Sequence, residues 1–144
     1  MSSSDLTMRG SAAVRHLQPD NFRSAGSAGE FLAAVSDFVV RVYADCLGRG
    51  PTKARSYQDR DVVVCLLEDT LTKPERHLRA AGRDERLLDL RVVLRETMQE
   101  ALVTGMESLA GREVISLVSG RQLEPDIASE VFVLGPSLGD GAKS

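Results

Sequence analysis

The densest set of groups able to grip an anion lies in Gly48-Arg49-Gly50-Pro51-Thr52-Lys53-Ala54-Arg55-Ser56-Tyr57. Two glycines allow close backbone approach, and Arg49, Lys53 and Arg55 supply positive charge. If Lys53 to Tyr57 is extended, a period of two puts Lys53, Arg55 and Tyr57 on one face. An arginine fork beside an aromatic stacking surface suits a phosphate, a carboxylate or a nucleotide. Gly48, Arg49, Gly50, Lys53, Arg55 and Tyr57 are therefore the candidate ligand-binding residues. The run lacks the Gly-Lys-Ser/Thr ending of a P-loop, and a helix C-cap followed by a charged edge strand explains the same residues without a ligand.

Other chemistry is sparse. Glu68 and Asp69 are adjacent, so in a strand they point to opposite faces; they read as turn chemistry rather than a magnesium site or an acid/base pair. His77, beside Arg76 and Arg79, has no partner at the spacing a metal site requires, and His16 falls in the N-terminal stretch. Cys46 and Cys65 show no C-x-x-C spacing and read as small buried hydrophobes, Cys46 on the inner face of a helix. Nucleophilic catalysis needs a base near the nucleophile, and few such pairs exist here. The expectation is a protein that is not an enzyme and holds no metal or cofactor.

The elements that position these residues follow from periodicity. Ser27 and Glu30 have capping-box spacing, and Phe31, Val35, Phe38, Val39, Val42, Cys46 and Leu47 form a helical stripe that Gly48 ends. Two strands, Lys53 to Gln58 and Val62 to Leu67, flank a turn at Gln58-Asp59-Arg60-Asp61. Thr72 and Glu75 cap a short helix that runs to about Gly82, with Pro74 tolerated in its first turn. Leu87, Leu90, Leu94, Met98, Ala101, Gly105 and Leu109 mark a longer helix, from Asp84 to Ala110, whose mixed charges, Arg91 and Arg95 included, read as a solvated face. Strands at Glu113 to Ser119 and Ile127 to Leu134 close the domain.

The order α-β-β-α-α-β-β predicts an α+β fold, a four-stranded antiparallel sheet packed against helices. Residues 1–29 read as a mobile arm, 30–134 as one domain and 135–144 as a flexible tail. Val131 and Val133 point one way and Phe132 and Leu134 the other, so both sheet faces are apolar and a two-layer monomer covers only one. A homodimer is the expected remedy.

With 42% hydrophobic and 27% charged residues over 144 positions, the chain is of ordinary globular composition, and a net charge of −3 gives no general pull toward nucleic acid. No apolar run is long enough to span a bilayer, and with no leader-like apolar segment the chain reads as cytoplasmic with reduced thiols.

The run from Gly48 to Tyr57, then Asp61-Val62-Val63-Val64-Cys65, Leu71-Thr72-Lys73 with Glu75, Pro125-Asp126-Ile127-Ala128 and Glu130-Val131-Phe132-Val133-Leu134 together resemble the MpsC family. The match covers about Glu30 to Leu134 in family order. The family is named for a sodium-translocating, membrane-potential-generating system with components linked to bicarbonate uptake, and the chain is similar to its small soluble member. The resemblance implies an accessory or regulatory role through peripheral contact with a membrane-system protein. A sensor of an anionic small molecule at Gly48 to Tyr57 is the alternative.

Overall fold

The computed structural model describes residues 26–139. Helix α1 spans Gly26–Leu47, strand β1 Lys53–Asp59, β2 Val62–Glu68, α2 Lys73–Ala80, α3 Asp84–Ala110, β3 Arg112–Gln122 and β4 Ile127–Ser137. The strands form one antiparallel sheet in the order β1-β2-β4-β3, so the fold is α+β with the expected succession of elements. The stretch expected to be a mobile arm lies outside the described residues except for 26–29, which are already helical, so Ser27 sits within α1 rather than ahead of it. The proposed tail begins later than expected, because β4 continues through Ser137.

Local chemistry sets most boundaries. Gly48 leaves α1 at φ 86° and Gly111 leaves α3 at φ 65°, a backbone region that glycine enters without a Cβ penalty. Thr72 accepts from the Glu75 amide while the Glu75 carboxylate accepts from the Thr72 amide, and Pro74 sits in the first turn of α2. The β1–β2 hairpin turns at Arg60 and Asp61, with Asp59 facing Val62 across it.

The core lies between α1, α3 and one face of the sheet. Val35, Val39, Val42 and Tyr43 of α1 and Met98, Leu102 and Met106 of α3 pack on Val63, Cys65, Leu67, Ala128, Phe132 and Leu134. Register sorts the strands cleanly. Tyr57, Val64, Val131 and Val118 form one row on the outer face; Gln58, Val63, Phe132 and Leu117 form the neighbouring row on the core face.

Two expectations about the helices change. Cys46 is exposed and Tyr43 takes the inward position, because the core stripe of α1 runs Val35, Val39, Val42, Tyr43. On α3 the buried positions are Leu87, Arg91, Met98, Leu102 and Met106, whereas Leu90 and Leu109 are exposed. The inner stripe therefore passes through Arg91, which is buried rather than solvated.

Candidate functional site

Arg91 can be buried because its charge is matched on site. Its Nη2 donates to Glu75 Oε1 at 2.7 Å and to the Thr70 carbonyl at 2.7 Å, and its Nε donates to Glu75 Oε2. Both side chains are only 4% exposed. A buried charge that lost its partner would be strongly unfavourable, so this bidentate pair is what permits an arginine in the core stripe. Burial works against ionisation of Glu75, but the hydrogen bond from Arg91 and the Thr72 amide outweigh it and hold the carboxyl below its usual range. The N-cap of α2 and the middle of α3 are thereby tied through one carboxylate.

A second buried carboxylate has a different environment. Glu130 of β4 is 1% exposed and lies on the core face, in register with Cys65 on one side and Ser119 on the other. Tyr43 donates to its Oε2 at 2.6 Å and Ser119 donates to its Oε1. No cation forms a salt bridge with it among the described residues, and burial raises its pKa, opposed by those two hydroxyls and by the charge of Arg95. The same burial, with Glu130 beside it, raises that of Tyr43.

Arg121 of β3 is the third member. It is 15% exposed at the side chain, lies 3.5 Å from Asp126, and its Nη2 donates to Thr70 Oγ1 at 3.3 Å. Its buried Nε has no hydrogen-bond partner among the described residues. Desolvation, then the charge of Arg91, lowers its pKa. Asp126 also accepts from Thr70 Oγ1 and the Leu71 amide, stitching the β2–α2 connection to the start of β4.

Between these groups, α3 and the β3 edge of the sheet, lies a cavity of about 200 Å³. Arg91, Arg95, Arg121, Glu130, Tyr43 and Ser119 form its polar wall; Leu88, Val92, Met98 and Ala128 form its apolar wall.

The six residues of the Gly48–Tyr57 segment are divided between two places. Gly48 is the α1 C-cap, and Gly50 packs so tightly on α1 that an added Cβ would lie 2.9 Å from Val40 Cγ1. Arg49 turns toward the β2–α2 loop, donating to Asp69 Oδ2 at 3.0 Å and to the carbonyls of Asp69 and Leu71 at 2.9 and 2.7 Å. That contact, above all its hydrogen bond, lowers the pKa of Asp69. Lys53, Arg55 and Tyr57 share the outer sheet face as the strand period requires, with Arg55 3.5 Å from Glu68. Lys53 also lines an open groove of about 740 Å³ at the sheet end, beside Arg76, Arg79 and Glu124. Cys65 is buried, which pushes its thiol up to about 11. Among the described residues no group of three or more His, Cys, Asp or Glu gathers where it could hold a metal ion.

The cavity residues were missed because Arg91 and Arg95 look like surface charge in a helix and Glu130 looks like the polar half of an alternating strand. One signal existed: Leu87, Arg91, Arg95 and Met98 follow steps of four, four and three, a helical stripe that includes two arginines.

Fold and site define a two-layer α+β protein whose polar centre is an arginine-lined cavity, with one sheet face uncovered among the described residues. The family model described as "Na+-translocating membrane potential-generating system (MpsC)" matches residues 27–135, and the chain belongs to that family. No curated protein and no solved structure matches it. No helix among the described residues is long and apolar enough to cross a membrane.

Proposed function

We propose that the protein is a non-enzymatic accessory or regulatory module of a membrane-potential-generating system, acting as a homodimer in peripheral contact with a membrane-system protein. The observation that carries this is the uncovered sheet face. Its rows read Asp59-Val62-Val133-Ser116, Tyr57-Val64-Val131-Val118 and Arg55-Leu66-Ser129-Gly120, with exposed Ile115 beside Gly135. Ile115 is 63% and Val118 58% exposed. Four strands ~4.8 Å apart and seven residues at a rise of ~3.3 Å give a face about 19 Å by about 23 Å. Val62, Val64, Leu66, Val118, Val131 and Val133 form the apolar centre of that face, and a contiguous exposed patch of this kind supports an interaction site.

A second copy is the occupant this face suits best. An isologous contact needs a self-complementary patch. Along β1 the face carries Lys53 and Arg55 at one end, the latter beside Glu68 of β2, and Asp59 at the other, so antiparallel stacking of two copies brings Asp59 of each toward the basic end of the other at the rim of an apolar centre. Family membership supplies the link to the membrane system.

The functional test is complementation. In cells lacking the gene, a potential-sensitive dye should report an altered membrane potential that the wild-type chain restores. Val131→Lys, placed in the middle of the outer face, should fail to restore it while accumulating as folded protein. Full restoration by the variant would show that the face has no part in the function.

A further inference from the structure

We infer that the cavity between α3 and the β3 edge is a binding site for a small monocarboxylate with a short apolar body. Arg95 and Arg121 hold the carboxylate, and Leu88, Val92, Met98 and Ala128 cover the rest of the ligand. The site is distinct from the uncovered sheet face, which lies on the opposite side of the sheet.

Charge matching sets the ligand charge. Three guanidinium groups face the cavity: Arg91, Arg95 and Arg121. Glu75 neutralises Arg91, and Asp126 lies within ion-pair distance of Arg121. Arg95 makes no salt bridge or hydrogen bond among the described residues, although its charge acts on Glu130. Arg95 is thus the guanidinium of the cavity wall that no carboxylate holds at ion-pair distance, and one such fork suits a monoanion.

Hydrogen bonding and shape set its class. Arg121, whose buried Nε has no hydrogen-bond partner among the described residues, lines the cavity and is short of acceptors. A guanidinium fork matches the planar geometry of a carboxylate. The volume of about 200 Å³ corresponds to about six or seven water molecules at ~30 Å³ each, room for an acid of modest size and too little for a nucleotide. The apolar wall, which would meet only water around a fully hydrated inorganic ion, favours a ligand with carbon on its far side. Leu88 and Val92 stand at the exposed surface of α3, 40% and 52% exposed, so the site has an apolar mouth.

The test uses the full-length protein and a defined set of probes: hexanoate and benzoate as monocarboxylates, benzamide as the neutral isostere of benzoate, and inorganic phosphate as a hydrated oxyanion. Calorimetric titration and thermal melts should show saturable binding and a melting temperature that climbs with hexanoate or benzoate, with no response to benzamide and at least tenfold weaker binding of phosphate. Arg95→Met should weaken the monocarboxylate at least tenfold while melting close to wild type without ligand, because no salt bridge or hydrogen bond among the described residues is lost with it. Methyl NMR shifts of Met98 and Ala128 on titration should saturate at the same concentration. Three results would overturn the inference: no saturable binding of either acid, undiminished binding by Arg95→Met, or phosphate or benzamide binding as tightly as benzoate.

Discussion

The two faces of the sheet are built from adjacent residues yet meet opposite surroundings. Phe132 is fully buried against α1 and α3, while its neighbours Val131 and Val133 sit on a face that no element among the described residues covers. The core face also carries the buried Glu130 and the largely buried Arg121, whereas the outer face mixes valines and Leu66 with Ser116 and Ser129 and keeps its charges at the rim.

The comparison breaks most severely at the core. Phe132→Ala should cost about 3–5 kcal/mol in urea denaturation, since it leaves a cavity under two helices, whereas Val131→Ala should leave the monomer within about 1 kcal/mol of wild type. Comparable losses from both would mean that the outer face is packed within one chain. Separating Arg91 from Glu75 should have an effect of similar size. Arg91→Met leaves a buried carboxylate unpaired and should cost about 3–5 kcal/mol, and the double variant Arg91→Met/Glu75→Met should recover much of it. A double variant no better than the single would show that packing rather than charge explains the loss.

A smaller effect is expected at Gly105, where an added Cβ would lie 2.1 Å from Phe38 Cε1 of α1. Gly105→Ala should destabilise by about 1–3 kcal/mol despite the gain of ~1 kcal/mol in helix propensity that alanine brings. If it stabilises instead, α1 and α3 can separate at that crossing without loss.

The pH response is the finest of these effects and the most specific. Glu75 titrates below its unfolded range, so the stability it contributes is present above that range and is lost as pH falls through its folded pKa. Glu130 titrates above its unfolded value, so its folded form binds the proton more tightly; its contribution is complete at low pH and is lost as pH rises through the raised pKa. Thermal melts across pH should show both limbs, and Glu130→Gln should flatten only the alkaline one. An unchanged alkaline limb in that variant would assign it to another group.

Much of the architecture was legible in sequence because it is local. Gly48, Gly111 and the Thr72–Glu75 capping box act within a few residues, and the alternation of β2 and β4 separates Phe132 from Val131 without knowledge of any partner. The candidate site was not legible. Arg91 is inward because Glu75, sixteen positions earlier, waits for it; Glu130 is inward because Tyr43, eighty-seven positions away, donates to it. Arg49, singled out for its charge, instead fastens a loop twenty residues on. Polar groups declare their role only when their partners are known, whereas apolar periodicity declares itself.

In the proposed dimer a second copy covers the outer sheet face. Sedimentation equilibrium of the full chain across micromolar concentrations reads this out. Twice the chain mass of 15.6 kDa for the wild type, with a single-chain mass and an unchanged circular dichroism spectrum for Val64→Lys and Val131→Lys, is the result expected. A wild-type protein that sediments at the mass of one chain at every concentration, or face variants that remain dimeric, would contradict it.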